Sequence, residues 1–505
     1  MTLKNTIKFN DIKRETFEIL NKNPNISSMA MEYLHPRNTH PESLRIYNGI
    51  LNKNNIFFNL FKHVSQTLTL LILSIIRKEK FFFGNKIAKN VDILFISHLT
   101  NINQLSDKND FYYGSLIYDL VKKTKLKPLV ALINHTWIQE KNIKESFNNS
   151  NYNKIILSRT VNFFIEFKHI LMLLREGINL KNNIKNGYKK RTISNHNCFN
   201  AISMSSLMAM RTYYQIKKIL EEKKPKYLII TYEGHAWERL AFYAAKSINK
   251  NIQCIGYQHS VLFPNQNAIF RNLNENFNPD IIFTPGKISY EWFKNEKIST
   301  FSKIYVLGSP RSHKLEKENK ISYKNNSILF LPEGIQSETE LIFKTALFVA
   351  KTYPQRNIVF RLHPVLNNKK YKQKLLNRIK PLSNIVLSKD TLQDDIFNSS
   401  IAVYRGSSTI VTAILNGLYP IYLSKNKDFK TIDPLFMINK KDRIALSDED
   451  LIRKVILFEK LKISNKHKII KNLQMYCRDY FQPLCFSNFL RVVQREANLK
   501  EIQDV

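Results

Sequence analysis

The stretch TYEGHAWERLAFYAAKS, residues 231–247, sets Glu233, Gly234, His235 and Glu238 between an apolar run and a helical pattern. A carboxylate in such a position can accept the proton of an attacking hydroxyl, provided burial or a neighbour tunes its pKa. Glu233 is therefore the leading general-base candidate. Glu238 follows five residues on, more than a helical turn away, so the two acids need not share a face. His235, and His259 in GYQHS, offer an imidazole that could take over the base role or bind phosphate. Asp110 in SDKNDFYYG is a rival base. Competing readings are structural: Glu233 as an acid that favours a helix dipole, and Glu238 as a salt-bridged surface residue.

Three further stretches of the second half pair donors with tight turns. They are LPEGIQSE with Glu333 and Gly334, RLHP with Arg361, His363 and Pro364, and RGSST with Arg405, Gly406, Ser407, Ser408 and Thr409. Cationic and hydroxyl side chains at the start of a helix suit an anion, and a nucleotide phosphate is the economical occupant. Each has a plainer reading too. Serines before a helix are commonly caps, and His-Pro and Pro-Glu-Gly both mark turns.

These residues matter because of the elements that must hold them. Runs at 91–98, 127–134, 153–159, 226–232, 252–258, 279–286 and 303–310 are short, apolar and rich in β-branched residues, with helical stretches between most of them. A second series follows at 327–334, 357–364, 384–389, 400–408 and 418–424. Such alternation predicts doubly wound parallel sheets, here two Rossmann-like domains in tandem. All the candidate stretches then fall at carboxyl ends of strands, where open α/β sheets bind ligands. The polar bridge 311–326 reads as a linker, so the expected division is an extension over 1–88, a first Rossmann-like domain over 89–310, a second, phosphate-binding one over 327–447 and helices over 448–505. In that plan a cleft forms between the carboxyl edges of the two domains.

Bulk composition narrows the classes. A chain of 505 residues exceeds one ordinary core, and its formal net charge of +37 favours anionic partners such as phosphates, acidic glycans or anionic lipid. A compositional bias toward lysine explains the same charge. Cys198, Cys254, Cys477 and Cys485 have no CxxC spacing, which argues against a zinc site or a disulfide framework and fits a reducing cytoplasm. The start MTLKNTIKFNDIKRE lacks the apolar core of a secretory signal. LTLLILSII, Leu68 to Ile76, is too short to span a bilayer unaided, but with its aromatic and basic flanks from Phe57 to Phe83 it reads either as an interfacial segment or as a core helix.

The order PEG, then HP, then SST in the second of two tandem Rossmann units resembles the nucleotide-binding half of GT-B glycosyltransferases that use CMP-activated acidic sugars, the bacterial sialyltransferase and Kdo-transferase type. YEGHAWERLAFYAAKS with IGYQHS is also similar to surface-carbohydrate biosynthesis proteins of O-antigen and capsule loci. The resemblance covers roughly residues 91–430. It implies Glu333 near the base or ribose, His363 at the donor phosphate, Ser407 and Ser408 as phosphate ligands, and an aspartate of the first domain, matched by Asp110. It also implies a nucleotide-sugar donor and a saccharide or lipid-linked acceptor. With the cysteine usage and the Phe57–Phe83 segment, the expectation is a cytoplasmic enzyme at the inner membrane face; no DxD motif stands in a suitable loop, so no metal is expected, nor a cofactor or nucleic acid. Two departures stand out: position 332 is Pro rather than a second acid, and no acid follows RGSST. Three rivals share features with this reading: a polyol-phosphate transferase of the teichoic-acid type, a UDP-sugar 2-epimerase, and a basic binder of nucleic acid or membrane.

Overall fold

The structure is a computed structural model that describes residues 9–38, 40, 41, 45, 47, 56–76, 82–83, 90–136, 152–182, 200–295, 301–312, 327–425, 432–438 and 441–503. The chain divides into two compact units. Unit 1 comprises Met1–Ser260, Gln266–Pro310 and Leu484–Val505, and unit 2 comprises Val261–Asn265 and Arg311–Pro483. Most of the stretch read as a linker lies outside the described residues.

Unit 1 holds β1 (Phe82–Phe83), β2 (Ile93–Leu99), β3 (Pro128–Asn134), β4 (Asn153–Ile156), β5 (Tyr227–Thr231), β6 (Gln253–Tyr257), β7 (Ile281–Thr284) and β8 (Lys303–Val306) in the order β1-β4-β3-β2-β5-β6-β7-β8. All pairings are parallel except β1 with β4. Unit 2 holds β9 (Ser327–Pro332), β10 (Asn357–Phe360), β11 (Ile385–Leu387), β12 (Ser399–Arg405), β13 (Tyr419–Leu423) and β14 (Ile444–Ala445), all parallel, in the order β11-β10-β9-β12-β13-β14. The sequence is thus two Rossmann-like sheets with helices, as its βα rhythm predicts. Every strand read from that rhythm is present. The two-residue strands β1 and β14 carry too few apolar positions to be read from sequence.

Burial explains the pattern. The central strands β5 and β6 are buried at every position, because helices cover both faces of a parallel sheet. The helix Ala236–Ile248 buries Trp237, Leu240, Ala241, Phe242, Ala244 and Ala245 against unit 1. The C-terminal helix Phe486–Gln503 returns to the same core, with Phe489, Val492 and Val493 among its buried residues. The N-terminal stretch is part of unit 1 as well: Arg271 donates to the carbonyl of Leu34 and to the Thr16 hydroxyl, and Asn267 donates to the carbonyl of Pro36.

Each sheet has one point where successive connections leave in opposite directions. In unit 1 it lies between β2 and β5, and in unit 2 between β9 and β12. At such a switch point the loops diverge and leave a crevice at the carboxyl ends of the strands. TYEGHAWE follows β5, PEG ends β9 and RGSST ends β12, so three of the four singled-out stretches sit at switch points.

Candidate active site

Unit 1 carries an open cavity of about 850 Å3 at its switch point. Its lining includes His98 from the end of β2, His135 just past β3, Thr231, Glu233, His235, Trp237 and Glu238 from β5 and its helix, and His259 past β6. The N-terminal stretch adds Glu32, His35 and Arg37 to the wall.

Gly234 makes the β5 turn feasible. Its φ is +86°, and a Cβ there would lie 2.2 Å from the Ala268 carbonyl carbon, so a side chain would be both strained and blocked. Glu238 closes the turn: its Oε2 accepts from the backbone N–H groups of Glu233 (2.9 Å), Gly234 (2.6 Å) and His235 (2.8 Å). Burial, with the neighbouring Glu233 charge, pushes the Glu238 carboxyl up to about 7 despite those bonds. Glu238 is therefore the group that shapes the loop, and neither a surface ion pair nor a base free to swing toward substrate.

His235 sits between two carboxylates. Its Nδ1 is 3.1 Å from Glu32 Oε1 and its Nε2 is 3.3 Å from Glu233 Oε2. Burial disfavours the imidazolium, but the bonds to Glu233 and Glu32 outweigh it and raise its pKa to about 10. In turn, burial would raise both acids, yet the His235 contacts hold Glu32 at about 2 and Glu233 well below the ordinary carboxylate value. The group is an imidazolium clamped by two carboxylates, with the Glu233 side chain a quarter exposed to the cavity.

Beside it lies a neutral pair. His98 Nδ1 is 2.9 Å from His135 Nε2, and His98 Nε2 is 3.0 Å from the Thr231 hydroxyl. Burial, followed by the neighbouring histidines, lowers the His98 pKa to about 3, and burial also lowers that of His135. Trp237, Tyr112 and His135 stand around His98 at ring distances of 5.1–5.6 Å, and Tyr112 meets His259 edge-on at 4.8 Å. This wall is amphipathic, with aromatic faces and imidazole edges, the surface on which a sugar ring can rest.

Asp110 is placed elsewhere. Its Oδ1 accepts from the backbone N–H groups of Tyr112 (2.8 Å) and Tyr113 (2.9 Å), its Oδ2 accepts from the Ser97 hydroxyl (2.9 Å), and it does not line the cavity. Its carboxylate folds the SDKNDFYYG loop and thereby presents Tyr112 to the cavity. This corrects its expected role as a base.

Unit 2 brings its motifs together on three adjacent strands, β10, β9 and β12. A Cβ at Gly406, where φ is +73°, would lie 2.5 Å from the Glu333 carboxyl carbon, and one at Gly334 would lie 3.0 Å from His363 Nδ1. Glycine at both positions lets Glu333, His363 and the RGSST backbone converge. His363 Nδ1 accepts the Val365 N–H at 3.3 Å, and burial lowers the ring's pKa. The neutral ring then carries its proton on Nε2, a donor for a phosphate oxygen. Pro364 starts the short turn that fixes this orientation. Ser408 precedes the helix Thr409–Leu415 but makes no side-chain capping bond, so the plain capping reading does not hold for it.

Both arginines of these motifs are already engaged. Arg405 is 1 % exposed, ion-paired with Glu338, and donates to the Leu423 carbonyl at 3.0 Å. Arg361 donates to Asp395 at 2.6 Å and to the Asp390 carbonyl at 2.9 Å. They brace the sheet edge rather than provide the phosphate charge expected of them. Among the described residues no group of three or more His, Cys, Asp or Glu is set to hold a metal ion.

Sequence reasoning missed His98, His135 and Glu32. The two histidines had a signal, since each stands at or just past the end of an apolar strand, in ILFISHL and ALINH. Glu32 had none, because it reaches the site from a segment without βα rhythm.

No family model and no curated protein matches the chain. Among solved structures it is similar to the UDP-GlcNAc 2-epimerase of Neisseria meningitidis bound to UDP-GlcNAc, with TM-score 0.45, 13 % identity, 81 % of this chain and 100 % of that one covered. It is also similar to the lipopolysaccharide outer core galactosyltransferase WaaB (0.43, 12 %, 80 % and 100 %) and to MurG of Acinetobacter baumannii (0.43, 8 %, 80 % and 99 %). At these values the functional reading rests on the residues of this chain.

Proposed function

We propose that the protein is a nucleotide-sugar-dependent glycosyltransferase of surface-glycan synthesis, with the donor nucleotide on unit 2 and the acceptor in the unit 1 cavity. The observation that carries this reading is the convergence of Glu333, Gly334, His363 and Gly406 at the switch point of unit 2. Glu333 accepts from ribose or base hydroxyls and amines, His363 Nε2 donates to a phosphate, and Ser407 and Ser408 with Thr409 supply further donors. The finer form of the proposal, a CMP-activated acidic sugar, is supported by the order of these motifs alone.

In the transfer, the acceptor hydroxyl oxygen bonds to the anomeric carbon, the bond from that carbon to the nucleotide phosphate breaks, and the phosphate leaves with the electron pair. Glu233 takes the hydroxyl proton. A carboxylate held ionised by His235 is a weak base, so it accepts the proton only as the new bond forms, while it orients the hydroxyl beforehand. His98, neutral and linked to His135, is the second candidate for that proton.

Titration calorimetry of the full chain with CMP, UDP, GDP and CDP tests the donor site. One nucleotide should bind, and His363→Ala and Ser408→Ala should each weaken it by about tenfold, the loss of one or two hydrogen bonds to a charged group. Unchanged affinity in both variants would remove the assignment.

A further inference from the structure

Two neighbouring helices of unit 1 are patterned inside out. The helix Ile56–Ile76 turns His63, Thr67, Leu70 and Ser74 inward, and exposes Phe61, Leu68, Ile72 and Ile75 at 55–75 %. The helix Phe163–Asn182 buries Glu166, His169, Leu173 and Glu176, and exposes Phe164, Phe167, Leu171 and Ile178 at 46–76 %. The two helices pack against each other, so the exposed stripes run on neighbouring elements. A surface helix in water shows the opposite arrangement.

Several of the inward polar groups are bound within unit 1, which favours this orientation of both helices. His63 Nε2 is 3.1 Å from Asn200 Oδ1, Glu166 pairs with Arg211 at 3.2 Å, and Asn23 donates to Glu176. Each helix thus offers outward an apolar stripe flanked by a few polar and basic residues.

Charge selects the occupant. The first helix contains no Asp or Glu, and both acids of the second, Glu166 and Glu176, are buried. The ionic groups left exposed on the pair are Lys62, Lys168, Arg175 and Lys181. A second copy of the chain seated there would bring cations against cations, whereas an anionic bilayer surface meets both the apolar stripes and the positive charge. The stretch Phe58–Ile76 is long and apolar enough to cross a membrane, but its inward contacts hold it along unit 1.

We infer that the paired helices Ile56–Ile76 and Phe163–Asn182 form a docking face for an anionic lipid bilayer, lying in the plane of its interface. The same first helix also sends Asn59, Lys62 and His63 to the wall of the unit 1 cavity. Resting on the glycosyltransferase reading, this continuity assigns the acceptor to the lipid-linked class, with its glycan in the cavity and its lipid left in the bilayer that the helices touch.

The test is flotation of the full chain with vesicles of phosphatidylcholine and phosphatidylglycerol, beside vesicles of phosphatidylcholine alone. Wild type should float with the anionic vesicles, less so at high salt. Leu68→Asp with Leu171→Asp should lower partitioning by at least tenfold, and Lys168→Glu with Arg175→Glu by at least fivefold on anionic vesicles only. These positions are exposed and away from the cavity, so thermal melting and turnover of a water-soluble acceptor should stay at wild-type values. Flotation needs no turnover, so it stands or falls separately from the catalytic reading. Absence of wild-type flotation would overturn the inference. So would flotation unchanged in both variants, or a dimer by light scattering that Leu68→Asp with Leu171→Asp converts to monomer.

Discussion

Replacing His235 by Gln removes the cation between Glu32 and Glu233, and the structure sets both the size and the pH dependence of the effect. The His235 pKa stands at about 10 against an ordinary 6.5, a rise of about 3.5 pH units. At about 1.4 kcal/mol per unit this is roughly 5 kcal/mol of stabilisation. The lowered pKa values of Glu32 and Glu233 express the same contacts and are not added to it. Because the folded-state pKa is raised, the contribution is complete below pH 6.5 and is lost as pH rises toward 10. Between those limits the folded state holds about one proton more than the unfolded chain, so wild-type stability should fall by about 1.4 kcal/mol per pH unit from this group. His235→Gln should be less stable at pH 6 by roughly 3–5 kcal/mol, since two part-buried carboxylates lose their counter-charge, and the gap should narrow steadily toward pH 9. Urea denaturation read by tryptophan fluorescence is the assay. Trp237 and Trp292 both lie in unit 1, so their emission reports the unit that carries the substitution. Parallel stability profiles of the two proteins from pH 6 to pH 9 would refute the clamped imidazolium.

Other outcomes follow from the same geometry. Glu233→Gln should lower turnover by ~10²–10⁴ with donor affinity unchanged, since a general base acts in the transition state; normal turnover, with a large loss in His98→Ala, would move the role to the His98–His135 pair. Because Glu233 stays ionised well below its ordinary pKa, the acid limb of kcat/KM should lie below pH 4.5, and a limb near pH 6.5 would exclude Glu233 as the titrating group. Gly234→Ala forces a Cβ into the Ala268 backbone at positive φ and should cost at least about 2 kcal/mol in the same urea assay. Gly406→Ala drives its methyl into the Glu333 carboxylate and should weaken nucleotide binding by at least about tenfold. Wild-type affinity in calorimetry would show that Glu333 does not face the nucleotide.

The sheets were legible because each βα unit leaves its own mark, a short β-branched run followed by a helical period. The strand-end position of Glu233, His363 and Ser408 followed from that rhythm alone. What each polar residue does there was less legible, because it depends on partners distant in sequence. Glu238 becomes a loop acceptor only when three N–H groups converge on it, and Arg405 is withdrawn from the anion site by Glu338, 67 residues upstream. Asp110 was drawn to catalysis by resemblance, but backbone donors two and three residues along the chain claim its carboxylate. Glu32 and the inward polar face of the helix Ile56–Ile76 were hidden for another reason: a helix whose polar side faces the protein has the periodicity of an ordinary amphipathic helix, and only burial tells which side is which.

The most direct measurement is mass spectrometry of the products formed from a panel of CMP-, UDP-, GDP- and CDP-activated donors, sugars and polyols, with the full chain and a glycan acceptor. The account predicts one donor whose sugar mass appears on the acceptor, with the matching nucleotide released in equal amount. A nucleotide sugar inverted at C2 without any acceptor product, a polyol phosphate added to the acceptor, or no turnover of any donor would contradict it.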